Sequence, residues 1–414
     1  MAMNDRQLYS QILGISGPWK VQDVAMDLSK KEIVVEVAST AAKHKCPECG
    51  KKCSGYDSRV RRWRHLDTCQ LQTIVLAKVP RVACPEHGVH QIHVPWAEPG
   101  SKLTAMFEAL VIDWLRDASV DAVRDHLGLT WYQVDMVMKR AVERGLARRE
   151  ATPVHDIGVD ETSFQKRHEY VTVVTDTTRS KVLHVSDGKS ASSLSEYYES
   201  LSPEHLAAIE TVSMDMSSAY ISSTRKHLED ADDKIIFDKF HVAKILGAAV
   251  NKVRREENSM LKEQGDRRLV GTRYLWLSGS ENVSLSNWRG HFKPLRESVL
   301  RTARAWAIKE EARRLWSYTT YGWARRGWNK WLSWANRCRL QPMIKAAATV
   351  KNHLWGILNA AVTGLSNATA ESLNAGIQRL KKRACGYRSR AKFRIAILFN
   401  FGGLDLMPEG AKWD

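Results

Sequence analysis

Two short turns of one design constrain this chain more than any other feature: Cys46-Pro-Glu-Cys49-Gly50 and Cys84-Pro-Glu-His87-Gly88. A C-x-x-C or C-x-x-H turn offers two ligands from a single knuckle, and two knuckles complete a tetrahedron around zinc. The shared Pro-Glu filler makes the pairing hard to reach by chance, and the separation leaves room for a hairpin between the knuckles. With four protein ligands no coordination position stays open, so one structural Zn2+ is expected on Cys46, Cys49, Cys84 and His87. Cys53, Cys69, His44 and His90 are the alternative ligands. Five of the seven cysteines fall between Cys46 and Cys84, which favours a metal in a reducing compartment over a disulfide framework.

Lys and Arg outnumber Asp and Glu 63 to 46, a formal charge of +17. An excess of this size suits a polyanion, because basic side chains neutralise phosphates and release counterions. The opening MAMNDRQLYSQILG reads as no secretory signal, and no apolar run is long enough to span a bilayer, so no membrane partner is expected. Between the knuckles, Arg59, Arg61, Arg62 and Arg64 surround Trp63 and are candidates for phosphate or minor-groove contact. A solvated hairpin face is the alternative.

Residues 119–142 fit a helix-turn-helix. Ser119 caps a helix with Val120, Val123 and Leu127 on its apolar side and Gly128 as its left-handed stop. Thr130 and Gln133 then form a capping box that opens a second helix. That helix buries Val134, Val137 and Ala141 and turns Gln133, Met136, Lys139 and Arg140 outward, as a recognition helix does.

After the break at Thr152-Pro153, the runs VHDIGVD, EYVTVVTD and KVLHVS read as strands. A helix near SSLSEYYESL, strand ETVSMD, a helix over 217–230, strand KIIFD and a further helix follow. The order predicts a mixed sheet with helices on its faces, as in an RNase H-like domain, although other α/β folds share it. From 257 to 360 strand patterns vanish and nine of the fifteen tryptophans appear among many arginines. This reads as a helical insertion whose tryptophans build its own core, stack on distorted bases, or divide between the two. The final run FRIAILFNFGG fits strand or helix. The organisation expected is therefore multidomain α/β: a β/zinc module at 1–98, a helix-turn-helix at 99–152, an RNase H-like domain at 153–256 and 361–414, and the insertion at 257–360.

Three carboxylates stand out. Asp160 and Asp215 end predicted strands, and Glu371 lies on a helix whose other side carries Leu373, Ile377 and Leu380. If the strands are neighbours, the acids meet at one sheet edge. Two Mg2+ or Mn2+ ions about 4 Å apart need bridging anionic oxygens for phosphodiester chemistry, and carboxylates provide them. Asp160 would bridge both ions, with Asp215 and Glu371 holding one each. Glu161, Asp156 and Asp176 are rivals that spacing does not exclude.

Six stretches, taken in order, resemble the ISL-three family of insertion-sequence transposases: CPEC with CPEHG, VPWAEPGSKLT, IGVDETSFQKRHEYVTVVTD, VSMDMSSAY, IIFDKFHVAKIL and LSNATAESLNAGIQRLKKRACGYRSRAKFR. The resemblance runs through nearly the whole chain. It implies a DDE transposase with Asp160, Asp215 and Glu371 as its triad. Such an enzyme cuts double-stranded DNA at terminal inverted repeats, joins it to target DNA, and synapses two ends as a dimer or larger oligomer in the bacterial cytoplasm, at the nucleoid. Many members carry cysteine where this chain has His87. Gln378 stands where related enzymes often place a basic residue, so Lys381 or Lys382 is expected to take the phosphate contact. Asn374 falls in the family's order beside Glu371, as possible active-site support. Asp238 and His241 match a family pattern, with active-site support and packing at the strand end both open. Two other classes compete: a zinc-bearing DNA-binding regulator without catalysis, and an RNase H-like nuclease without strand transfer.

Overall fold

The computed structural model describes residues 4–165, 169–282, 292–364 and 368–411. Residues 166–168 and 365–367, parts of two family-like stretches, and Trp288 of the insertion lie outside the described residues. The chain divides into two units, Met1–Glu150 with Gly403–Asp414, and Ala151–Gly402.

In the first unit the alternating runs become the hairpin β1 (Trp19–Asp27) and β2 (Glu32–Ser39). Asp27 closes its turn by accepting from Ser29 N at 3.0 Å and Lys30 N at 3.1 Å. Next come β3 (His44–Lys45), β4 (Lys52–Arg64), β5 (Gln72–Cys84) and β6 (Gly88–Gln91). The sheet order is β1-β2-β5-β4-β3, with β6 on β5. Its core holds Val35, Val75 and Val79 and a trio of indoles, with Trp19 and Trp63 each edge-on to Trp96 at 4.9 and 5.5 Å.

Helices Ala105–Asp117, Val120–Leu127 and Trp131–Ala147 follow, each capped as its sequence dictates. Ser119 accepts from Ala122 N at 3.2 Å, Gly128 takes φ 61°, and Thr130 and Gln133 close a capping box. Residues past Gly402 return to this unit, although sequence placed them with the preceding domain. Gly145 is what lets them approach, since a Cβ there would lie 2.6 Å from Leu404 Cβ.

The second unit is built on a five-stranded sheet: β7 (Asp156–Gln165), β8 (Glu169–Asp176), β9 (Lys181–Asp187), β10 (Thr211–Met214) and β11 (Ile235–Phe237). Its order is β11-β10-β7-β8-β9, with β7, β8 and β9 an antiparallel meander and β10 and β11 parallel to β7 and to each other. Helices Ala368–Arg383 and Arg390–Phe401 cover one face through Ile377, Phe393 and Ile397 against Phe164, Val171, Val173 and Val182. The ambiguous final run is thus helical: Phe393 and Ile397, one turn apart, bury a single stripe on the sheet.

The long helix Lys239–Glu263 leads from β11 into helices Arg301–Arg314, Tyr321–Arg337, Gln341–Asn352 and Leu354–Thr363. Trp276, Trp306, Trp328 and Trp331 are buried in one core that runs on to the sheet. Buried Glu257 fixes the start of Arg301–Arg314, accepting from Arg301 N and Thr302 N at 2.7 Å. Among the described residues, no helix is long and apolar enough to cross a membrane.

Candidate active site and metal centre

Strand register brings the acids together. Thr211 pairs with Asp156 and Ser213 with Gly158, so continuing the β7–β10 register sets Asp215 beside Asp160. Val212 pairs with Ile235 and Met214 with Phe237, which sets Asp238 beside Asp215. Three carboxylates thus stand in line across three parallel neighbours, because residues at equal register in a parallel ladder share a face. Asp160 lies inside β7 and not at its end, as sequence had it. Its pairing with β8 continues to Gln165, while pairing with β10 stops at Gly158 and frees that edge.

Glu371 enters from above, in the first turn of helix Ala368–Arg383. Burial pushes its carboxyl up to about 7, with Asp238 and then Asp160 adding like charge. Its Oε1 is buried without a hydrogen-bond partner among the described residues. Asp160 is also raised, first by burial, against the backbone N–H of Glu161 at 2.7 Å and the nearby His241, which lower it. Glu161 is raised by burial and by Asp215. Asp215 accepts from Ser217 N at 3.0 Å, and buried Asp238 from Phe240 N at 3.2 Å, at the head of the long helix. Crowded carboxylates, with Asp160, Glu161 and Glu371 raised and one Glu371 oxygen lacking a partner among the described residues, are a donor set suited to hard cations. The remaining rivals are structural: Asp156 accepts from Thr211 Oγ1 at 2.6 Å, and buried Asp176 holds Arg179 at 3.1 Å.

One residue, Thr162, was missed in the sequence. Asn374 Nδ2 donates to Asp160 Oδ2, and buried Thr162 Oγ1 donates to Asn374 Oδ1 at 2.6 Å. Thr162 therefore sets the amide so that its NH2 faces the carboxylate, one helical turn from Glu371. The only sequence signal was its place two residues after Asp160, on the same side of the strand.

The knuckles form the second centre. Donor atoms of Cys46, Cys49, Cys84 and His87 all lie within 4.8 Å of one another, the single such group among the described residues. Cys49 Sγ is 3.7 Å from Cys84 Sγ, and Cys84 Sγ 3.5 Å from His87 Nδ1. Gly50 and Gly88 close the turns at φ 72° and 78°. The His87 contact pulls the Cys84 thiol below its ordinary value, toward the thiolate a metal binds. Cys53 is buried and bonds Lys51 O at 3.4 Å, Cys69 is exposed, and His90 bonds His87 O at 2.6 Å.

The expected DNA-contact residues separate. Arg59 is exposed, Arg61 bonds Gln91 at 3.0 Å and Arg62 pairs with Glu32 at 3.4 Å. Arg64 is not free for DNA as expected: its side chain is 10% exposed, paired with Asp67 at 2.5 Å and lying over the Phe107 ring. Strand alternation also splits the four arginines between two faces, so they form no single patch. Lys139 is exposed, and Gln133 turns back to Thr130 at 2.8 Å. Arg140 does not point outward. It pairs with Glu108, which is 1% exposed and shared with Arg144. Lys381 Nζ donates to Ser163 O at 2.7 Å, pinning its helix to β7, while Lys382 is exposed.

Comparison with known proteins agrees in order and extent. A family model described as a transposase matches residues 157–397, one for the zinc-finger of transposase IS204/IS1001/IS1096/IS1165 matches 42–87, and one for the helix-turn-helix domain of transposase family ISL3 matches 92–142. The chain is 26% identical over 407 residues to the transposase for insertion sequence element IS1001 of Bordetella parapertussis, covering 97% of this chain and 99% of that one. It is 28% identical over 447 residues to the transposase for insertion sequence element IS1557 of Mycobacterium tuberculosis, covering 98% of each.

Proposed function

The chain belongs to the ISL3 family of transposases, and from that premise we propose that Asp160, Asp215 and Glu371 hold a pair of divalent ions for DNA cleavage and strand transfer at terminal inverted repeats. The observation that carries this reading is the line Asp160–Asp215–Asp238 across β7, β10 and β11, with Glu371 facing it. The order β11-β10-β7-β8-β9, an antiparallel meander followed by two parallel strands, supports an RNase H-like domain.

When bound, such ions activate a water or a 3′-hydroxyl and neutralise charge at the leaving oxygen. The chain's own groups do the rest. Asp160, held by Asn374 on one oxygen and by the Glu161 N–H on the other, presents a fixed carboxylate. Asp215 is fixed by the Ser217 N–H. Glu371 is brought into place by a helix pinned at Asn374 and Lys381. Asp238 and His241 shape the field around the carboxylates, and no general base is required of the protein. Mg2+ suits this all-oxygen set, with Mn2+ a substitute. One Zn2+ on Cys46, Cys49, Cys84 and His87 holds the N-terminal knuckles, and the helix-turn-helix reads the repeat through Lys139 and its neighbours. The enzyme acts on DNA in the cytoplasm, as a dimer or larger oligomer, because two ends are joined together.

A strand-transfer assay with a pre-cut terminal repeat tests the reading. Asp215→Ala abolishes joining and leaves end binding intact. Retained joining removes Asp215 from the site, and joining lost together with binding points to a fold defect.

A further inference from the structure

Helix Tyr321–Arg337 has two unlike sides. Ala324, Trp328, Trp331, Leu332 and Ala335 are buried in the core. Opposite them, Trp323, Arg326, Lys330, Trp334 and Arg337 are all exposed. At 3.6 residues per turn these five fall within an arc of about 80°, so they form one stripe. Trp323 is 61% exposed and Trp334 39%, whereas four other tryptophans among the described residues of the same region are buried. The Arg326 guanidinium lies 5.4 Å from the centre of the Trp323 ring.

The charge of the helix is of one sign. It holds Arg325, Arg326, Lys330 and Arg337 and no carboxylate. In the preceding helix, Arg313 pairs with Glu310 at 3.1 Å and Arg314 with Glu311 at 3.6 Å. Arg325, Arg326, Lys330 and Arg337 form no ion pair among the described residues. Cations left without carboxylates, interleaved with indoles left in water, fit an anionic partner that also has flat apolar faces. A protein surface seldom offers both at this spacing, but a nucleic-acid strand does. An intact duplex keeps its base faces stacked inward, so it would engage the cations and not the indoles.

We infer that this stripe takes a DNA strand with unstacked bases, its phosphates on Arg326, Lys330 and Arg337 and bases on Trp323 and Trp334. The two indoles are about 16 Å apart along the helix axis, a distance a few nucleotides of one strand can span. The inference rests on the DNA-acting reading above and extends it to a substrate form: an end whose strands have separated.

The test uses the full chain, without divalent ions, so that it is blind to any error in the carboxylate assignment. Affinity for an oligo-dT strand and for a blunt duplex of random sequence is measured by fluorescence anisotropy over a range of NaCl. Trp323→Ala with Trp334→Ala weakens oligo-dT binding by about 30-fold or more, the loss of two stacked bases at the low end of their usual worth, and leaves duplex binding within about twofold. Trp323→Phe with Trp334→Phe keeps most of the affinity. Arg326→Ala with Lys330→Ala lowers the salt slope by about 1.4, two phosphates at about 0.7 each, and keeps the test open should the indole variants fold poorly. Unchanged oligo-dT binding in the Ala variants overturns the inference, as does an equal loss for duplex. A change of oligomeric state with DNA binding intact also overturns it, since the stripe would then be an interface between copies.

Discussion

Replacing Thr162 with valine removes one hydroxyl from the candidate site and keeps the side chain's shape. Thr162 is 2% exposed, and its Oγ1 donates to Asn374 Oδ1 at 2.6 Å while the Asn374 NH2 holds Asp160. Valine leaves the half-buried Asn374 carbonyl without its donor, a cost of about 1–3 kcal/mol. A half-turn of the amide offers no relief, because its oxygen would then face the Asp160 carboxylate. The cost falls on the arrangement that presents Asp160, so cleavage slows by about 5- to 150-fold, at 1.36 kcal/mol per tenfold. Single-turnover cleavage of an end substrate at saturating DNA, titrated with Mg2+, reads both the rate and the ion concentration at half-maximal rate. Thr162→Val lowers the first and raises the second, with end binding unchanged. Thr162→Ser, which restores the hydroxyl, recovers both to within about threefold. Wild-type rate and ion requirement in Thr162→Val, or a Ser variant as slow as Val, would show that the hydroxyl does not set the Asn374 amide.

Three further outcomes follow from the first unit. Purified chain carries one zinc, and Cys84→Ser lowers both zinc content and melting temperature; less than about half an equivalent in protein never exposed to chelator counts against the four-ligand centre. Arg140→Ala destabilises the unit by about 3 kcal/mol, because Glu108 is left buried with a lesser share of charge partners, whereas Lys139→Ala weakens repeat binding without a shift in melting. Equal melting shifts in the two variants would contradict the separation. Burial draws His65 down to about 4, so the unfolded chain binds the extra proton between pH 4 and 6.5. Its contribution is present above pH 6.5 and lost as pH falls toward 4, about 3 kcal/mol in all; denaturant titrations of His65→Gln should show a correspondingly flatter fall over that window.

What could be read from sequence was local or periodic. The knuckles carry their own turns and glycines, so their four donors could be named before their geometry was known. Ser119, Gly128, Thr130 and Gln133 act within a few residues of themselves, and the helix-turn-helix was legible for that reason. The site carboxylates needed topology as well: Asp215 and Asp238 each follow a short apolar run, but only strand register sets them beside Asp160. Long cations were the least legible. Arg64, Arg140 and Lys381 look like surface charges until Asp67, Glu108 and Ser163 are seen beside them, and two of those partners are distant in sequence. The insertion tryptophans divide for a similar reason, since helical spacing shows that two faces exist and packing decides which is covered.

In the proposed reaction Asp160, Asp215 and Glu371 share a pair of divalent ions on the scissile phosphate. Anomalous scattering from Mn2+ in crystals of the protein seated on a cleaved element end measures this directly. Two peaks about 4 Å apart are expected, with Asp160 between them and Asp215 and Glu371 each beside one. Peaks held by other carboxylates, or none beside these three with the DNA end in place, would contradict it.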